Sequence, residues 1–127
     1  MPKIDIDAIR KHLGHVMVHE DVATAAPLRG MAATFDRDEP PPEEGTPIAP
    51  GWHLCYFLED TRLGSMGADG LPLSRGVLPE MPLPRRMWAG GRFEFRAPLS
   101  IGDEVIRVST IEKVEPKSGR SGGASAT

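Results

Sequence analysis

Four histidines, one cysteine and a pair of adjacent arginines are the residues whose chemistry could do more than hold a fold. His12, His15 and His19 recur at helical spacing. One helix would offer a metal two neighbouring imidazoles at best, and Glu20 falls to the side of them, so a solvated helix face is the better reading and no metal is expected. His53 lies between Trp52 and Leu54 in an apolar run. An imidazole there is either a satisfied core residue, the commoner outcome, or a group aimed into a substrate pocket. Arg85 and Arg86 open a loop leading into a strand. Their guanidinium forks suit the phosphates of an adenine nucleotide and suit open solvent equally well. Trp88, followed by Ala89, Gly90 and Gly91, sets an aromatic wall beside backbone that a ligand can approach closely, or else makes a tight turn with the indole on the core. Trp52, His53, Arg85, Arg86, Trp88, Gly90 and Gly91 are therefore the candidate binding residues. Glu59, Asp60 and Asp69 are the loop acids that could act as an acid or base, and no catalytic signature surrounds them.

The elements that would position these groups follow from periodicity. Ile6, Ile9, Leu13, Val16 and Met17 recur near helical spacing, which predicts a helix over residues 4–18 capped by Asp5 or Asp7. A second helix is expected within residues 22–35, with Pro27 favouring a start near itself. Residues 36–50 are charged and proline-dense, and neither helix nor ladder is expected there. Trp52 to Leu58 is short enough for a strand or a buried loop, and residues 61–84 read as one long ordered loop. Arg92 to Arg96 alternates strictly between charged and apolar residues, which predicts a strand. A turn at Pro98–Asp103 and a second alternating strand over Glu104–Val114 would complete an antiparallel pair. Beyond Pro116 the apolar pattern ends, and a frayed tail is expected.

At 127 residues the chain is long enough for one core and too short for two full domains. The 14 glycines and 13 prolines argue against a helical bundle. A net charge of -3 offers no positive field for nucleic acid or an anionic membrane, so neither partner is expected. Cys55 has no second cysteine to pair with, and the N-terminus lacks a continuous apolar segment. A buried thiol in a cytoplasmic protein is the expectation.

The run Pro82-Leu83-Pro84-Arg85-Arg86-Met87-Trp88-Ala89-Gly90-Gly91-Arg92-Phe93-Glu94-Phe95, with Pro98-Leu99 and Ile101-Gly102-Asp103 after it, resembles the MaoC-like hydratase and dehydratase superfamily. More narrowly it is similar to the mesaconyl-C4-CoA hydratase group, related to 3-hydroxyacyl thioester dehydratases. Gly51-Trp52-His53-Leu54-Cys55-Tyr56-Phe57-Leu58 and Lys117-Ser118-Gly119-Arg120-Ser121-Gly122 resemble stretches of that group in the expected order. The resemblance implies an α+β hot-dog fold, a curved antiparallel sheet around a helix, over residues 1–122, with 123–127 as a disordered tail. It also implies that members carry two such units in tandem and that the second holds the acid and base, an Asp and a His five residues apart with Pro before the His. Asp7 and His12 share that separation, but no Pro precedes His12 and Leu13 and Gly14 follow it, so no catalytic pair is expected in this chain.

On this resemblance the chain is expected to be the non-catalytic N-terminal unit of an acyl-CoA hydratase or dehydratase. It would shape the tunnel for an enoyl thioester such as mesaconyl-CoA, while a catalytic unit adds water. CoA enters as part of the substrate and no cofactor is expected. The resemblance implies further strands after Gly122, so a homo-oligomer or a catalytic hot-dog partner is expected to complete the sheet. The rival expectation is a binding-only or truncated product without activity, and a thioesterase on the same fold is a third.

Overall fold

The computed structural model describes residues 5–74, 78, 80, 87–116 and, as backbone, 124–126. Asp5 caps the first helix, α1 (Ile6–Arg10), by accepting the Ala8 N–H at 3.0 Å. The helix expected to reach Val18 stops here. Lys11 to Gly14 turn, Gly14 adopts a φ of +75°, and its N–H donates to the Ile111 carbonyl at 2.9 Å. The chain then enters strand β1 (Val16–Val22). Val16, Val18 and Val22 are β-branched and stiff, so they favour a pleated strand once a neighbouring strand offers hydrogen bonds. That neighbour is β2 (Glu104–Thr110). The pairing is antiparallel, because Gly14 meets Ile111 at one end and Ala23 meets Asp103 at the other.

Helix α2 (Ala25–Thr34) lies within the stretch expected to be helical, with Pro27 in its first turn, where a missing N–H costs nothing. The proline-dense segment that follows has no helix, but its end is tied down. Pro47 bridges Ser100, and the Ile48 and Ile101 N–H groups donate to Leu99 and Thr46 at 2.7 and 2.9 Å. Trp52–Cys55 is a 3-10 turn rather than a strand. A second 3-10 turn, Leu63–Ser65, and the bridge between Met66 and Pro72 order part of the long loop.

Two expectations about the sheet need correcting. Residues 92–96 form no strand among the described residues, and the strand that β2 pairs with is β1. Alternation in a sequence reports a two-sided environment, and a ladder requires a neighbour with free backbone groups. The second expected strand is also interrupted. It breaks after Thr110 and resumes as β3 (Val114–Pro116), which pairs antiparallel with β4 (Ala124–Ala126) inside the stretch expected to be tail.

The chain divides into two compact units, each discontinuous in sequence. The first comprises residues 1–18, 59–89 and 108–127, and its core is Ile9, Ile111 and Val114 with Leu78 packed against them. The second comprises residues 19–58 and 90–107. Its core is Ala23, Leu28, Ile48, Tyr56, Ile101 and Val105, flanked by Ala25, Trp52, Phe57 and Leu99. The Ser100–Asp103 turn closes this core. Gly102 takes a φ of +98°, and the Asp103 carboxylate accepts the Ser100 N–H at 2.9 Å.

Candidate functional site: an aromatic groove around His53

The second unit contains a groove of about 570 Å³, lined by Ile48, Ala49, Pro50 and His53 from one segment and by Phe93 through Leu99 from another. The imidazole of His53 meets Phe93 edge-on at 5.6 Å and Phe95 at 5.7 Å, and the two phenyl rings stack at 5.9 Å and 23°. Phe93 and Phe95 lie two residues apart, and their stacked rings share one side of the chain. This arrangement provides an apolar wall for a flat or conjugated group, with one imidazole able to donate or accept a hydrogen bond. Glu94 and Arg96 are the charged residues of the lining, and they pair through Arg96 Nε and Glu94 Oε1 at 3.2 Å.

Local chain geometry holds His53 in place. Gly51, at a φ of +90°, admits the chain to the 3-10 turn, and the Trp52 N–H donates to the Ala49 carbonyl at 3.0 Å. On the far side, Tyr56 is buried and its hydroxyl donates to the Thr24 carbonyl at 2.7 Å. Burial raises the Tyr56 phenol above its ordinary pKa, with smaller contributions from Cys55 and Asp21, so it remains a donor. Phe57 follows at a φ of +58°, a left-handed conformation that costs a bulky residue free energy and needs compensation. Asp21 provides it by accepting the Phe57 N–H at 2.8 Å on one oxygen and the Val22 N–H at 2.8 Å on the other. These two bonds, Phe57 first, hold the Asp21 carboxyl below its ordinary value despite some desolvation. Arg107 lies 5.2 Å over the Phe57 ring, with Nη2 at 3.4 Å from Nδ1 of His19.

Trp52 and His53, adjacent in sequence, line different cavities. His53 lines the groove, whereas Trp52 lines a separate cavity of about 550 Å³ with Leu28, Thr46 and the proline segment. There the Arg37 guanidinium sits 5.2 Å over the Trp52 indole. Gly90 and Gly91 are exposed at the start of the second unit's later segment, and Trp88, 81% exposed, belongs to the first unit. Arg85 and Arg86 lie outside the described residues. Cys55, expected to be buried, is half-buried and unpaired. Leu54 before it is exposed and Tyr56 after it is buried. His12 and His15 meet edge-on at 6.5 Å, and no group of three or more potential metal ligands occurs among the described residues. No helix among them is long and apolar enough to cross a membrane.

Ile48, Phe93, Phe95, Arg96 and Leu99 were not anticipated as lining residues, nor were Asp21, Tyr56 and Arg107 as supports. The alternation of Phe93 and Phe95 was the available signal. It marked them as sharing a side without saying that His53 would face them.

The fold is α+β with antiparallel strands, the class to which hot-dog proteins belong. Residues 51–126 match the family described as hydroxyacyl-thioester dehydratase type 2, and the chain belongs to that family, whose fold is the hot dog. It is also similar to a mesaconyl-C(4)-CoA hydratase of Chloroflexus aurantiacus, with 38% identity over 105 residues. That match takes in 83% of this chain and 37% of the relative, so the chain spans well under half of the relative's length.

Proposed function

We propose that this chain serves an acyl-CoA hydratase or dehydratase as its non-catalytic N-terminal hot-dog unit, holding the acyl part of an enoyl thioester in the His53 groove. The observation that carries this reading is the apolar groove formed by His53, Phe93 and Phe95, all three within the residues that match the dehydratase family. A conjugated enoyl group is flat and polarisable, and it gains from aromatic walls that exclude water. Mesaconyl-CoA is the first substrate to try, because the similar Chloroflexus protein is named for it.

The catalytic acid and base are assigned to a partner unit. Asp7 is paired with Arg10 at 3.5 Å, and the His12 ring meets His15. The proposed partner is a catalytic hot-dog unit or a second copy of the chain. Support comes from the alternate exposed positions of the central strands, where Val16, Val18 and Val22 on β1 and Ile106 and Val108 on β2 stand apolar in solvent. Addition of water to a double bond changes no net oxidation state, so the proposed reaction calls for no redox cofactor. The lone free thiol fits the reducing cytoplasm proposed for the protein.

Loss of conjugated-thioester absorbance from mesaconyl-CoA and crotonyl-CoA tests the proposal, measured on the chain alone and mixed with a catalytic hot-dog unit. Silence alone with activity gained on mixing is the expected result. Turnover by the chain alone would overturn the support role and point to His53 and Glu94 as the groove's own titratable groups.

A further inference from the structure

Arg107 is a half-buried cation outside the groove lining. It stands on β2, and its Nη2 lies 3.4 Å from His19 Nδ1 on the facing strand, a long hydrogen bond. The Nε–H is buried and has no acceptor among the described residues. No carboxylate pairs with this guanidinium among them. Arginine keeps its proton in proteins, so the cost of the unmet donor is not relieved by neutralisation. A second cost lies beside the first. The guanidinium is 5.2 Å over the ring of Phe57, whose φ of +58° is unfavourable for a bulky residue.

Asp21 links the two. It follows His19 by two residues on the same half-buried side of β1, which makes it a diagonal neighbour of Arg107 and within reach of a long side chain. Its carboxylate now accepts the Phe57 and Val22 N–H groups, each at 2.8 Å. A charge-assisted fork from Nε and Nη2 of Arg107 is a competing arrangement for the same carboxylate.

We propose that this corner is a two-position latch, in which the Asp21 carboxylate alternates between the Phe57 N–H and the Nε, Nη2 edge of Arg107. In the position described above it holds Phe57 in the left-handed conformation next to the turn that carries His53. In the other, His19 yields the Nη2 edge, Arg107 gains its acceptor, and Phe57 is free to return to negative φ. One side-chain rotation thus relieves an unmet donor and a strained backbone, and the two backbone N–H bonds given up offset that gain. Opposing terms of this size keep two positions close in free energy. The latch stands on the geometry of the corner, and its use to open and close the groove rests on the reading of the groove as an acyl site.

Backbone amide relaxation dispersion on the full chain reads the latch at Phe57 and Val22, whose N–H bonds to Asp21 are made in one position and broken in the other. Exchange on the microsecond-to-millisecond timescale, with one rate shared by the two amides, is the expected result. Arg107→Met removes the second partner and should abolish that exchange, whereas Arg107→Lys keeps the charge without the planar fork and should reduce it. Saturating crotonyl-CoA should quench the exchange in the parent chain by favouring the position that holds the His53 turn. A static corner in the parent chain, or exchange unchanged in either Arg107 variant, would overturn the latch. Exchange that responds to the variants but persists with crotonyl-CoA bound would keep the latch and overturn its link to the groove. Failure of crotonyl-CoA to bind in a calorimetric titration would overturn the acyl-site reading and, with it, that link.

Discussion

Asp21 is a surface-facing acid on β1 whose two oxygens fix the backbone of a neighbouring corner. Its carboxyl is held below the ordinary value of 3.8 by the Phe57 and Val22 N–H groups. The folded protein therefore takes up this proton less readily than the unfolded chain. The stabilisation is complete above about pH 4 and is lost as the pH falls through the depressed folded value. Asp21→Asn should reduce stability at neutral pH by about 1 kcal/mol, since an amide replaces a charged acceptor. It should also flatten the acid limb of a melting-temperature against pH curve, and an unchanged limb would show that Asp21 does not anchor the corner. At the groove, Phe93→Ala removes the wall facing His53. About a tenfold loss of enoyl-thioester affinity is expected from the stacking and burial forgone, with little change in melting temperature because the ring is already half exposed.

Among the elements, the turn between residues 100 and 103 decides whether β2 starts in register. Its glycine has a φ of +98°, and a β-carbon placed there would come within 3.1 Å of the Glu44 side chain. Glu44 can swing aside, so the cost of Gly102→Ala comes mainly from the backbone. A loss of about 1 to 2 kcal/mol is expected, visible as a drop of several degrees in melting temperature. Gly102→Asn should lose less, because asparagine tolerates the left-handed region better than alanine. The 3-10 turn that carries His53 depends in the same way on Gly51 and on the Tyr56 anchor to Thr24. Tyr56→Phe keeps the buried ring and deletes one hydrogen bond, so thioester binding should fall with only a modest change in stability.

For the molecule as a whole, the division into two units gives each its own core. Ile111 is 1% exposed in the smaller core. Ile111→Ala should cost about 2 to 4 kcal/mol, the usual range for emptying a packed site. The apolar strand positions are predicted to serve assembly rather than folding. Val18→Lys and Ile106→Lys, at positions 55% and 64% exposed, should leave the melting temperature nearly unchanged. They should abolish sedimentation with a catalytic hot-dog unit, and retained co-sedimentation would place the contact elsewhere.

Local chemistry, written in contiguous residues, was legible in the sequence. The Asp5 cap, the helix around Pro27, the absence of helix in the proline segment, the turn at Gly102 and the start of β2 all depend on neighbours in the chain. The run from Pro82 to Phe95 carried the family, which the match over residues 51–126 bears out. Partner choice was decided only by tertiary structure. Val16 to Val22 has spacing compatible with helix and residue types compatible with strand, and the hydrogen bonds offered by β2 settled it. Tertiary packing likewise set Phe93 and Phe95 against His53. Trp52 and His53, adjacent in sequence, line different cavities. Periodicity states which residues share a side of an element, and contacts between distant segments decide what that side meets.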